Sequence, residues 1–294
     1  MTKSIKSKKR ALTPFYSFYL LLSICFSSSA LASHQLTLTP LLYAFDYSEY
    51  SQTNIELNNE NGLLPGLAVQ FETTRHNHVL RLHSSVVDGE VDYDGRTQGG
   101  TAHTTDTETQ LFTLGLRLMP AQLEIPLQRI FLSDLSSILQ PPRLFIGLQY
   151  WRWDRDILTR DNVQGLHEIY SWYELELGLQ LKSAKKGSDP QRPSWYWAEL
   201  SALYNVNPQM KILLPNSEVN LKLGSQAGAR LRFGRSWQTS PTLLLSLSLF
   251  AEYWEFGRSN TELSNDFFGR SAYLTEPRSE TLHSGITLDF AWRF

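Results

Sequence analysis

The sequence predicts an all-β fold: one closed, antiparallel, up-and-down transmembrane barrel of about ten strands, with twelve as the alternative count. Three observations lead there. The last nine residues alternate, with Ile286, Leu288, Phe290, Trp292 and Phe294 on one face and Thr287, Asp289, Ala291 and Arg293 on the other, which is the period of a strand with a single apolar face. After residue 33 no run of 18 uninterrupted apolar residues occurs, so no segment reads as a membrane-crossing helix. Mean hydropathy is -0.28, as expected when every second residue of a spanning strand faces a polar interior. Strands in lipid cannot leave backbone groups unpaired, so they must zip together and close.

The first 32 residues read as a secretory signal peptide. Lys3, Lys6, Lys8, Lys9 and Arg10 form a basic stretch, residues 15–26 are apolar, and Ala30-Leu31-Ala32 has the small-x-small pattern of a cleavage site. A lipoprotein signal fits less well, because the bulky Ile24 precedes Cys25. Cleavage after Ala32 removes 5 of the 27 basic residues and none of the 29 acidic ones, which leaves 22 against 29 and a formal charge of -7. It also removes the only cysteine, and with it any disulfide framework or thiolate chemistry. An acidic chain without basic runs excludes nucleic acid as the expected partner. Residues 33–294 show no linker or composition break, so they form one barrel domain.

Ten period-two segments follow in order. In 35–47 the leucines Leu36, Leu38 and Leu42 share one parity and Tyr43, Phe45 and Tyr47 the other, so its outward face is ambiguous. Segments 63–74, 79–93 and 108–119 carry outward sets such as Leu67 and Val69, Leu80, Leu82 and Val86, and Phe112, Leu114, Leu116 and Leu118. Segments 143–157 and 165–182 make a hairpin, the latter with Leu175, Leu177, Leu179 and Leu181 in strict alternation. Segment 194–206 is expected to pair with 219–234, and 242–258 with 281–294. An even count puts both ends of the chain on the periplasmic side. The polar connections 48–62, 94–107, 158–164, 207–218 and 259–280 are then extracellular, and 75–78 and 235–241 are periplasmic turns. The long connection 120–142 fits a periplasmic turn poorly; its 132–139 stretch suggests a small helix or part of an extra hairpin.

Two patterns are superposed on the strands. All eight tryptophans fall near strand ends, with Trp151, Trp153, Trp172 and Trp254 at the extracellular side and Trp195, Trp197, Trp237 and Trp292 at the other. We expect them to form the two aromatic girdles of a barrel. On the inward parity, Glu72, Glu174, Glu176, Glu199, Glu252 and Asp289 are expected to meet Arg81, Arg117, Lys222, Arg230, Arg232 and Arg293. Confined charges need partners, so a balanced set in a narrow barrel predicts a cross-braced, largely closed lumen rather than a selective pore.

The terminal strand resembles the last strand of Gram-negative outer-membrane β-barrels. That resemblance implies a cell outer membrane location, an assembly signal at Phe290, Trp292 and Phe294 read by the barrel assembly machinery, contacts with outer-membrane lipids and lipopolysaccharide, and a chain that works as a monomer. Strand number and length also resemble the omptins, outer-membrane proteases with an Asp pair and an Asp-His pair across the barrel mouth. Asp92 and Asp94 match the first pair. The second is missing, since no Asp-x-His occurs; Asp161 with His167 is the nearest substitute.

Other chemistry is sparse. Asp88, Glu90, Asp92 and Asp94 repeat at every second position and so point one way from a continued strand. They are the candidates for a divalent cation or for a cation-bridged contact with lipopolysaccharide, although a solvated strand extension is the favoured reading because the spacing of a dedicated calcium loop is absent. Trp151, Trp153, Arg155 and Trp172 form the densest aromatic and charged group, with a sugar or headgroup platform as the functional reading and a girdle with rim salt bridges as the structural one. His83-Ser84 and His283-Ser284 are adjacent on strands and so point to opposite faces, which does not make a nucleophile-base pair. His76 and His78 lack further ligands in reach. The sequence therefore assigns no catalytic residue and no cofactor, and favours a structural, surface-interaction or narrow-pore role over a surface hydrolase.

Overall fold

The structure is a computed structural model that describes residues 33–96, 100–121, 139–183, 193–215, 217–265 and 270–294. The expected signal peptide and most of the expected small helix at 132–139 lie outside the described residues. The strands are β1 (Ser33–Tyr50), β2 (Glu56–Arg75), β3 (His78–Arg96), β4 (Ala102–Met119), β5 (Arg143–Ile157), β6 (Leu166–Lys182), β7 (Ser194–Leu213), β8 (Glu218–Lys222), β9 (Ala227–Gln238), β10 (Leu243–Phe256), β11 (Glu262–Asn265), β12 (Ser271–Leu274) and β13 (Arg278–Arg293). Ten of them form a closed antiparallel ring. Neighbours in sequence pair from β1 to β7, β9 and β10 continue the ring, and β13 closes it onto β1 through registers such as Leu36↔Trp292 and Leu38↔Phe290. β8 continues the line of β9 along the upper part of β7. Among the described residues no helix is long and apolar enough to cross a membrane.

The outward face separates lipid from water by composition. Leu175, Leu177, Leu200, Leu249 and Phe233 are about half exposed and belong to the outward parity, as a hydrocarbon solvent requires. On β1 Leu36, Leu38 and Leu42 point out and Tyr43, Phe45 and Tyr47 point in, together with Leu41, which settles the ambiguous strand. Above this band the exterior turns polar, with Asp88 on β3, Gln110 on β4 and Arg152 on β5. β2 and β7 each run for 20 residues, against about 9–11 needed to cross a bilayer. The strands therefore continue well past the apolar band, and much of what reads as loop in the sequence is paired sheet. At the other end β2 and β3 join through His76 and Asn77, whose φ angles of 48° and 64° give the two-residue turn that the twist of a hairpin favours.

The tryptophan expectation needs correction. Trp151, Trp153, Trp172 and Trp254 are 4 %, 0 %, 1 % and 0 % exposed and lie inside the barrel, and Trp195 and Trp197 also line its interior. Only Trp237 and Trp292 take the outward parity near the terminal end. The upper girdle is made of tyrosines instead: Tyr150 and Tyr173 face each other at 5.5 Å, with Tyr204 and Tyr253 on the same outward face. Their hydroxyls reach water while the rings stay in the interface. Lys222 also departs from expectation. Inward positions on β8 are Val219 and Leu221, whereas on β9 they are Arg230 and Arg232. The break at 223–226, where Gly224 bridges Gly257, shifts the parity by one and turns Lys222 outward.

A lipid-facing charge should be costly here and an exterior charge above the band should not. Leu177→Arg is expected to lower stability by about 2–4 kcal/mol in urea unfolding from lipid vesicles. Asp106→Arg, above the band and opposite Asp92, is expected to be neutral or mildly stabilising in the same measurement.

Candidate functional site

Inward side chains arrange the lumen in layers, and several strands supply each one. In the lower ionic layer Arg117 of β4 reaches across to Glu176 of β6 at 3.0 Å and to Glu199 of β7 at 2.8 Å, with its guanidinium 4.2 Å from the Phe145 ring. Arg230 of β9 binds Glu174 at 3.0 Å, Glu176 at 3.0 Å and Glu252 at 2.7 Å. Arg81 joins Glu72 at 2.9 Å. Ser201 and Gln180 donate the remaining hydrogen bonds to Glu176 and Glu199. Period-two strands place all of these groups inside, and their mutual pairing makes their burial tolerable.

Above this layer the lumen is filled by aromatic rings. Trp151 and Trp172 stack with centroids 5.4 Å apart and planes 4° from parallel, and Trp254 meets both edge-on at 5.0 and 5.1 Å. Trp153 stacks on Tyr170 at 4.7 Å and takes the edge of Phe45 at 5.5 Å. His283, fully buried, sits 4.3 Å from Trp254 and shares a hydrogen bond between its Nδ1 and the Tyr43 hydroxyl. These rings come from β1, β5, β6, β10 and β13, so two opposing arcs of the wall meet in the middle. None of the four indole N–H groups has a hydrogen-bond partner among the described residues.

A second ionic cluster lies above the rings. Arg155, 1 % exposed, binds Glu60 at 2.8 Å, Glu49 at 3.2 Å and Glu168 at 2.5 Å, and stands 4.9 Å from the Tyr47 ring. A fourth carboxylate, Glu276, descends from the segment between β12 and β13; its Oε1 accepts from Tyr170 at 2.8 Å and Tyr47 at 3.3 Å. Its main chain is tied to Ser259 in both directions. Burial, together with the nearby Glu49 and Glu168, pushes the Glu276 carboxyl well above the usual carboxylate range, which favours its neutral form within the cluster.

The residues singled out from the sequence fall differently. Asp88, Glu90, Asp92 and Asp94 do share one face, exposed on the outer wall above the apolar band. Across β4 they meet Glu108 and Asp106, and no group of three His, Cys, Asp or Glu among the described residues could hold a metal ion. Trp151, Trp153, Arg155 and Trp172 are brought together, but inside the lumen, so they form no surface platform. Asp161 is not the partner of His167: Asp154 is, with Nε2 to Oδ1 at 2.6 Å. Both groups sit on the outer wall, on the same side as Asp92 and Asp94, so the two pairs do not face each other across the mouth. Glu49, Glu60 and Glu276 escape a sequence reading because they lie in segments that read as loop.

Comparison with solved structures supports the architecture. The barrel is similar to the outer membrane protease OmpT from Escherichia coli, with a TM-score of 0.52, 9 % identity, and 90 % of this chain and 96 % of that chain covered. It also matches the translocator domain of the autotransporter NalP from Neisseria meningitidis, with a TM-score of 0.42, 10 % identity and 96 % of each chain covered. A major outer membrane protein from Thermus thermophilus matches with a TM-score of 0.33, 14 % identity, and 90 % and 99 % coverage. At such identity the likeness to OmpT shows the outer-membrane β-barrel fold and nothing finer. No family model and no curated protein matches the chain.

Two outcomes test the layers. Trp254→Phe removes an unsatisfied buried N–H, a group whose burial costs about 1–3 kcal/mol, and should leave the thermal midpoint unchanged or raised, whereas Trp254→Ala opens a void and should cost about 3–5 kcal/mol. The Glu276 segment should dock best in acid. A carboxyl whose folded pKa is raised contributes its full stability below the unfolded value of about 4.3 and loses it as pH rises through the folded value. Hydrogen exchange over 258–265 and 270–277 should therefore quicken toward alkaline pH, beyond the intrinsic base-catalysed rise, and Glu276→Gln should remove that extra dependence.

Proposed function

We propose that this chain is an outer-membrane barrel closed to solutes at mid-height, with a structural and surface-interaction role rather than that of a pore. One observation carries the reading: the aromatic layer of Trp151, Trp172, Trp254 and Trp153, with ionic clusters bridged across the lumen on both sides of it. Paired opposite charges offer no single-sign pathway for an ion, and the packed rings between them fill the lumen at that height. The partners that follow are membrane lipid and lipopolysaccharide along the outer wall, and the assembly machinery at the strand ending in Phe290, Trp292 and Phe294. The ring closes within a single chain, which suits a monomer in the cell outer membrane after export and signal-peptide removal.

A surface hydrolase is the weaker reading. The Asp154–His167 contact is the observation in its favour. Against it, both acidic pairs lie on one outer wall rather than facing each other across the mouth.

Planar-bilayer recording tests the proposal. The purified barrel is expected to show no stable open state, and Trp172→Ala combined with Trp254→Ala should introduce measurable conductance; a steady ion-selective current from the unmodified protein would overturn the closed lumen. Peptide hydrolysis that disappears in His167→Ala would instead establish the enzyme.

A further inference from the structure

Alongside the lower ionic layer, with Arg117, Glu199 and Arg230 in its wall, lies a cavity of about 300 Å³ that is roofed by Tyr43, Trp151 and Phe250 and reaches down to Gln35 and Arg293, which pair at the terminal rim. Its charges are unevenly paired. Three of the four carboxylates in its wall, Glu72, Glu199 and Glu252, are engaged by the arginines above. Asp289 accepts a hydrogen bond from Thr39 at 2.8 Å and has no cation within salt-bridge distance among the described residues. Lys182, Arg232 and Arg293 line the same cavity, and among the described residues none of them has a carboxylate within salt-bridge distance. Arg293 meets only the neutral Gln35, at 3.2 Å, and Arg232 lies 5.4 Å from the Trp197 ring.

These cations are grouped. Lys182 is directly opposite Trp197 across β6 and β7, and Arg232 is opposite Glu199, two residues further along the same strand. Trp195 follows on the same inward face. An indole with one cation over its ring and a second opposite it in the ladder, in a cavity also lined by the amides and hydroxyls of Gln70, Thr37 and Ser246, is a recognition surface rather than a brace. The carboxylate nearest to both in the ladder, Glu199, is already bridged to Arg117 and Arg81, so the two cations are left under-neutralised, which costs stability; a ligand anion would repay it through charge-assisted hydrogen bonds. We propose that this vestibule binds a small organic anion from the terminal side, one sugar-sized unit bearing a carboxylate or a phosphate. The anion lies between Lys182 and Arg232 and the ring of the ligand rests on Trp197. The volume is at the small end of the range of about 300–1,000 Å³ for ligand sites, so one such unit fills it. The aromatic roof makes it a binding site and not a stage in transport.

Calorimetric titration of the full barrel in detergent with glucose 6-phosphate, glucuronate and glucose tests this. At least one of the two anionic sugars is expected to bind saturably and at least about tenfold more tightly than glucose, a difference of about 1.4 kcal/mol; the arm that binds identifies phosphate or carboxylate as the recognised group. Lys182→Gln with Arg232→Gln should weaken that binding about tenfold or more, while Lys211→Gln, on the exterior and paired with Glu218, should not. Gel mobility before and after heating shows that each variant is folded. Should the double variant fail to fold, raising the salt to about 0.5 M must weaken binding to the unmodified barrel. Equal binding of glucose and both anions, no saturable heat for either anion, or insensitivity to both the double substitution and salt would overturn the proposal.

Discussion

Everything in this molecule depends on the hydrogen-bonded seam between the first and last strands. Once β13 pairs with β1, from Gln35↔Arg293 to Tyr50↔Arg278, no strand edge is left in the ring, and backbone groups that would be ruinous in hydrocarbon are all paired. The ladder has a second effect. It fixes a period of two on every strand, so leucine on one parity commits the intervening residue to the interior whatever its chemistry. Ten strands enclose little more than side chains can fill, and residues committed inward must find their partners across the lumen.

The layers follow from that confinement. Arg117 and Arg230 share Glu176, each at 3.0 Å, so the lower network is one connected unit rather than a set of separate bridges, and removing a single carboxylate would leave a guanidinium buried with a deficit. The aromatic rings above it exclude water from both sides and so raise the cost of an unpaired charge near them. That accounts for the contrast between the two clusters. Below the rings, three arginines meet five glutamates; above them, Arg155 alone faces four, and the surplus is eased by the upward shift of the Glu276 carboxyl and by the Tyr47 and Tyr170 hydroxyls that donate to it.

Much of this is legible in the residues, and the omissions have physical reasons. The outward leucines, the hairpin partners and eleven of the twelve expected lumen charges follow from parity alone. The tryptophans can be placed by the same rule: Trp151 and Trp153 alternate with Tyr150 and Arg152, on the parity opposite Ile146 and Leu148, and Trp172 and Trp254 share the parity of Glu174 and Glu252. Position near a strand end says nothing about which face a ring occupies, and parity does. Lys222 is misplaced by that rule because parity holds only along an unbroken ladder, and Gly224 marks the break. The Asp154–His167 contact is not legible, since it depends on the register between β5 and β6. Glu49 and Glu60 are hidden because a strand that has left the lipid no longer alternates apolar with polar.

β6 shows how tightly the layers are coupled. In sequence order its inward side chains are Glu168 in the upper cluster, Tyr170 and Trp172 in the aromatic layer, Glu174 and Glu176 in the lower network, and Gln180 and Lys182 at the cavity. A two-residue slip of this strand would keep every leucine in lipid and every backbone bond paired, so neither the membrane nor the ladder opposes it. It would put Trp172 where Glu174 meets Arg230, or the reverse. The lumen therefore supplies what the outer face cannot, a penalty for the wrong register, and the ionic bridges from β6 to β4 and β9, with the Trp172–Trp254 contact to β10, are the means by which one sequence selects one barrel.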